Sequence, residues 1–156
     1  MRITAKADYA VRASVELAAA QPSGVPVKGE HLAKAQAIPQ NFLENILTEL
    51  RRAGIVRTRR GAEGGYQLAR PAREVTVADV LRAVEGPLAA IQGIQPQDLE
   101  YGGAAQHMPE LWIAVRASLR SVLEKVTLAD LAAGKLPRAV AAKTEDPEAW
   151  LPFQHH

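Results

Sequence analysis

Five arginines, Arg51, Arg52, Arg57, Arg59 and Arg60, fall within ten positions, and no acidic residue stands between them. A guanidinium stays charged and makes forked hydrogen bonds that suit phosphate and narrow minor grooves, so the chemistry this cluster offers is contact with a polyanion, above all duplex DNA. A second set stands just upstream, at Gln40, Asn41 and Glu44. Gln and Asn pair bidentately with adenine and a glutamate accepts from cytosine, so these residue types fit the reading of base edges, although each alone is unspecific. A charge run by itself is more often a solvated face. What turns it into a binding footprint is the element that holds it.

Residues 39–69 supply such elements in one unbroken run. Phe42, Leu43, Ile46, Leu47 and Leu50 recur at helical spacing as one apolar stripe, with Pro39 suited to the first turn and Gly54 to the stop; this predicts a helix of about four turns. Residues 55–59 and 66–68 then alternate as strands do, and the intervening GAEGG permits the positive φ angles of a hairpin turn. Upstream, Thr4 can cap a helix running to about Ala20, with Tyr9, Ala10, Ala13, Leu17 and Ala20 on one face. A short helix over 27–35 follows, with Leu32 and Ala33 inward, and a turn over 36–39 separates it from the striped helix. Helix, tight turn, helix and hairpin make a winged helix-turn-helix, in which the second helix of the motif enters the major groove with its N-terminal residues against the bases. The fold class is therefore mainly α with a small β-hairpin wing.

Beyond Pro71 the character changes. Residues 1–70 hold 11 Lys and Arg against 6 Asp and Glu, a balance of +5, whereas residues 71–156 hold 8 against 11, a balance of −3. A basic half joined to an acidic one fits a polyanion-binding module attached to a part with another task. Val75-Thr76-Val77-Ala78-Asp79-Val80 has a Thr cap, an Asp three positions on and an apolar staple, so a helix starts near Val77 and ends at Gly86. Nearly the same device returns over 126–131, as a second helix start and not a repeat fold. Residues 87–108 lose periodicity and read as a long loop, a place for a sensory pocket or a relic of one. From Pro109 the longest helix begins, and Trp112, Val115, Leu119, Val122 and Val126 follow at steps of three and four. That heptad seam is suited to pairing with its copy across a two-fold axis. The organisation is thus a winged helix-turn-helix domain over 1–86, a loop over 87–108, a dimerisation helix with a short following helix over 109–136, and a tail over 137–156. In that tail Val140, Trp150, Leu151 and Phe153 are the apolar residues, and His155 and His156 have the look of a purification tag.

The chain has 156 residues and no cysteine, so disulfides, thiolate nucleophiles and cysteine-held zinc or iron-sulfur clusters are excluded. No apolar run approaches membrane-spanning length and the N-terminus lacks a secretory core, so a cytoplasmic protein without a membrane partner is expected. An enzyme is not expected: His31, His107 and the terminal pair are the only histidines, and no base and nucleophile converge.

The opening MRITAKADYAVRA, the block IPQNFLENILTELRRAGIVRTRRGAEGGYQLARP and the LW…TLADL of the later helices resemble the Rrf-two family of bacterial transcription regulators, over about residues 1–136. That group includes the iron-sulfur cluster regulator and the cysteine-metabolism and nitric-oxide-responsive repressors. The resemblance implies a homodimer on a two-fold operator of double-stranded DNA, with wing arginines in the minor groove and the long helices crossing between subunits. By position it places Gln40, Asn41 and Glu44 on the base-reading face and Arg60 with Gly61 at the wing tip. Thr4, Lys6 and Tyr9 fall on the phosphate side, and Lys28, Arg51, Arg57 and Arg59 complete the DNA-contact set. Cluster-binding members carry three cysteines in a window corresponding to about 93–106, and this chain has none. Asp8 and Arg12 match positions that supply a non-cysteine ligand in some members, but without thiolates they make no cluster site. The expectation is a cofactor-free regulator, a repressor in its simplest form, answering to a small molecule, a partner protein or its own concentration. The alternative is a cluster-free winged helix acting mainly through contacts with a partner protein.

Overall fold

The computed structural model describes residues 1–152, so Phe153, His155 and His156 lie outside the described residues. Among the described residues, seven α-helices and one hairpin follow in the order α1 (Ala5–Ala20), α2 (Gly29–Gln36), α3 (Gln40–Arg52), β1 (Val56–Arg59), β2 (Gly65–Leu68), α4 (Val77–Glu85), α5 (Met108–Leu123), α6 (Leu128–Ala133) and α7 (Arg138–Ala141). Among the described residues no helix is long and apolar enough to cross a membrane.

The start of α1 is set by the Thr4 hydroxyl, which accepts from the Ala7 N–H. Its alanines let neighbours approach closely: Ala10, Ala13 and Leu17 are buried against α3, α4 and α6. The turn between α2 and α3 places Ala37 in the left-handed region (φ 51°), where its N–H reaches back to Ala33 and Lys34. Four residues of the α3 stripe, Leu43, Ile46, Leu47 and Leu50, are buried. Phe42 departs from that stripe. It sits at the stripe's edge, is 55% exposed, and makes an edge-to-face pair with Tyr9, with ring centroids 6.3 Å apart.

The strands pair antiparallel, Val56 with Leu68 through Arg59 with Gly65. Strict alternation of burial does not hold in β1, where only Val56 is buried, because nothing covers the outer part of a two-stranded ribbon. The glycines of the turn act differently from one another. Gly61 takes the positive φ (110°) that the sequence implies, whereas a Cβ on Gly64 would stand 2.2 Å from the Arg59 carbonyl oxygen and one on Gly65 2.5 Å from that of Val27. Their smallness serves close backbone approach, and that approach lets Val27 exchange two hydrogen bonds with Tyr66 at 2.9 and 2.7 Å.

Both capping boxes form as read. Thr76 and Asp79 exchange bonds at the start of α4, and Thr127 and Asp130 do so at the start of α6. The two starts lie side by side: Val77 N–H donates to Val126 O and Leu128 N–H to Val75 O, each at 2.9 Å. Leu128 therefore belongs to the same core as Leu17 and Leu50, and α6 joins the winged-helix body instead of trailing the long helix as a separate part. Val126 is displaced from the seam by the same contact. The helix ends at Leu123, and Val126, 4% exposed, packs with Val77 and Val140 in a core of its own chain. α5 has 16 residues, as many as α1, and is not longer than it. Part of the tail docks through Val140, while Trp150 and Leu151 stay exposed.

Candidate nucleic-acid interface

The wing folds back toward the N-terminal end of α3. Lys28, Gly29, Gln40, Glu44, Gly61 and Gly65 line one groove of about 290 Å³, so side chains from the start of α2, the start of α3 and the wing turn face a common space. Gln40, Asn41 and Glu44 are exposed, as are Arg59 and Arg60 at the wing. None of Arg51, Arg52, Arg57, Arg59 and Arg60 forms an ion pair among the described residues, although Lys6, Arg12, Arg70, Arg82 and Arg120 do. Five exposed guanidinium groups without ionic partners on α3 and the wing are what a phosphate backbone would neutralise.

The five are not equivalent. Arg59 and Arg60 stand beside the turn that lines the groove, but Arg51 is eleven residues along α3 from Gln40, about 16 Å at the helical rise. Arg57 and Arg59 also border a separate hollow of about 510 Å³ against the end of α1. The residues of α1 pack along α3. Tyr9 meets Phe42 there, and the Arg12 guanidinium lies 4.8 Å from the Tyr9 ring centre while donating to Gln36 O at 2.7 Å. Lys6 and Thr4 are already engaged. Lys6 Nζ is 2.9 Å from Glu49 Oε2, and the Thr4 hydroxyl caps α1 and donates to Glu85. Phe42 was absent from the sequence-derived set; its exposure beside Gln40 and Asn41 makes it an apolar contact of the kind that meets a thymine methyl. The edge position of Phe42 on the helical wheel was the available signal.

α5 has no buried residue. Trp112, Val115, Leu119 and Val122 are each half-buried, and Leu111 and Ile113 are 53% and 38% exposed. Met1 and the α5 face carrying Val115, Leu119 and Val122 enclose an apolar hollow of about 540 Å³. The loop over 87–108 is packed onto this helix: Pro96 is buried, and Arg116 Nη1 donates to Gln95 Oε1 at 3.2 Å and Gln97 Oε1 at 2.8 Å.

The Rrf2 family, described as an iron-dependent transcriptional regulator, matches residues 3–134. The chain belongs to the Rrf2 family. This Rrf2 protein is 52% identical over 155 residues, 99% of its own length and 96% of the other's, to Rv1287 of Mycobacterium tuberculosis (strain ATCC 25618 / H37Rv), named as an HTH-type transcriptional regulator. It is 32% identical over 132 residues to the HTH-type transcriptional regulator CymR of Bacillus subtilis (strain 168), covering 85% of this chain and 90% of that one. The solved structure of CymR, the global cysteine regulator of B. subtilis, superposes with a TM-score of 0.72 over 86% of this chain and 98% of that one, at 32% identity. That of T. potens IscR gives 0.68 over 99% and 94%, at 28% identity. The family and these relatives are transcriptional regulators, not enzymes, so this protein is a winged-helix, DNA-binding regulator by descent as well as by geometry.

The family's description names iron, and the residues of this Rrf2 protein do not fit a cysteine-held cluster. The chain has no thiolate, and among the described residues no group of three His, Asp or Glu side chains is placed to hold a metal ion. Asp8, at a position matching a cluster ligand elsewhere, is instead paired with Arg12 at 3.0 Å.

Proposed function

We propose that this Rrf2 protein is a homodimeric repressor of a two-fold operator, working in the cytoplasm without an iron-sulfur cluster. The observation that carries this reading is the pair of unsatisfied surfaces on one chain. Five exposed arginines without ionic partners among the described residues stand at the end of α3 and on the wing, and α5 presents Trp112, Val115, Leu119 and Val122 with no fully buried residue on the helix. In the first, Gln40, Asn41 and Glu44 enter the major groove and read base edges, while Arg59 and Arg60 hold the flanking minor groove. In the second, two copies of α5 pack along the seam and set two α3 helices about one DNA turn, roughly 34 Å, apart. Repression follows from occupancy of the operator. With no thiolate to hold a cluster, the signal reaches the protein by another chemistry.

The test is selection of genomic fragments by the purified protein at moderate salt, with Arg60→Ala run beside it. The expected result is one two-fold motif, weakened in the variant while sedimentation still shows a dimer. Affinity should fall steeply with salt, because each neutralised phosphate releases counterions. Equal affinity in Arg60→Ala would remove the wing from the mechanism, and failure to enrich any motif would favour a partner protein over DNA.

A further inference from the structure

The face of α5 adjoining the seam carries an arrangement that the DNA-binding reading does not use. Arg116 and Arg120 are one turn apart, and because successive helical residues are about 100° apart they lie roughly a quarter turn around from Val115 and Leu119. Across from them stand Arg82 of α4, the bend at Gly86–Leu88 and Gln95, and together these line an open cavity of about 390 Å³. Three guanidinium groups line it and no acidic residue does. They come from positions 82, 116 and 120, in the half of the chain whose overall balance is acidic.

A single carboxylate touches the cluster. Glu124 accepts from Arg82 and, at 2.9 Å, from Arg120. Arg116 is left with the neutral amide oxygens of Gln95 and Gln97 and forms no ion pair among the described residues. Three positive charges and one negative leave a local excess of two. Like charges held this close repel, and the forked donors of arginine match planar or tetrahedral oxyanions better than they match water. The cavity falls in the size range of small-ligand sites, and its polar groups converge from three segments that are distant in sequence.

We infer that this cavity binds a compact dianion, whether a short dicarboxylate or a phosphate group, and that it is a regulatory site. α4 belongs to the winged-helix core through Val80 and Val84, α5 carries the seam, and Pro87, Leu88 and Gln95 of the loop line the cavity between them. A ligand bridging Arg82 to Arg116 ties the DNA-binding body to the dimer helix, and it shifts operator affinity to the extent that its own affinity differs between arrangements of the two. The regulatory part rests on the reading given under Proposed function. The binding site does not.

The experiment is calorimetric titration of the purified full chain, in HEPES at fixed chloride, with succinate in one arm and inorganic phosphate in the other. Wild type, Arg116→Gln and Arg116→Lys are compared, with circular dichroism as the check on folding. Saturable binding of one or both probes, weakened about tenfold or more by Arg116→Gln and less by Arg116→Lys, is expected, since one tenfold step is the loss of one forked charged contact. The arm with the tighter binding identifies the oxyanion. Absence of saturable heat with both probes, or unchanged binding in folded Arg116→Gln, would overturn the site. The selected operator is then titrated with and without the bound probe. A shift of about fivefold or more supports regulation; an unchanged affinity overturns the regulatory role and leaves the site standing. Anion binding in a protein that retains no operator would instead overturn the DNA reading alone.

Discussion

α3 and α5 are built from similar patterns and meet opposite ends. Each has an apolar stripe at steps of three and four, in 13 and 16 residues, yet α3 buries four side chains in its own chain and α5 buries none. The difference lies in what surrounds them. α3 packs on α1, α2, α4 and β1, so its stripe is covered except at Phe42 and its opposite face is left polar for a ligand. α5 touches the loop and α4 along one side, and its own chain leaves the seam residues only half-covered. An amphipathic stripe therefore fixes that something must be covered, and only the tertiary packing tells whether the same chain covers it.

The comparison breaks most sharply at Leu50, which is fully buried at the end of the α3 stripe. Leu50→Ala should cost about 2–5 kcal/mol, the range for cavities in a core that relaxes only in part. Urea unfolding of this variant beside Leu119→Ala checks it, and equal losses at the two sites would erase the distinction between a covered and a half-covered stripe. Next in size is Leu119→Asp. A charge on the seam should give monomers by sedimentation with native helicity and poor operator binding, since a two-fold site needs both halves. A dimer that survives the change would move the interface elsewhere on the molecule.

How much of this could be read in the sequence depends on the range of the interaction. The helix starts at Thr4, Thr76 and Thr127, the α3 stripe and the hairpin were legible, because caps, stripes and turns are written within a few neighbouring residues. The pairing of the two capped starts was not, because the hydrogen bonds joining Val77 to Val126 and Leu128 to Val75 link residues 49 and 53 positions apart and leave no local pattern. The same pairing misled the seam: the step from Val122 to Val126 continues a heptad on paper, but the helix has already ended at Leu123. At the candidate interface, residue types nominate Gln40, Glu44 and the arginines, whereas the engagement of Lys6 with Glu49 and the edge contact of Phe42 with Tyr9 depend on where α1 lies against α3. The arginine cavity escaped for the same reason. Arg82 and Arg116 are ordinary surface arginines until the loop folds between them.

The paired caps give a smaller test of the same contrast. Thr76→Ala and Thr127→Ala should each cost about 1 kcal/mol, the usual loss of an N-cap hydroxyl. Their sum should fail for the double variant, because the two starts share backbone hydrogen bonds. Strict additivity in thermal unfolding would show that α6 docks independently of α4.

The smallest effect concerns the arginines themselves, free around α3 and tethered beside α5. Hydrogen bonds from Arg82 first and Arg120 second hold the Glu124 carboxyl below its ordinary value of 4.5. A carboxylate whose folded pKa is depressed contributes stability that is present above its unfolded value and lost as pH falls through the folded one. Acid unfolding below about pH 4.5 should therefore steepen in wild type relative to Glu124→Gln, with the two curves parallel near neutrality. The pair is exposed to solvent, so the separation should also shrink in high salt. Curves that stay parallel down to full unfolding would mean that Glu124 balances the arginines without holding α5 to α4, and that the clamp between the two helices is the packing of Leu81, Val122 and Leu123 alone.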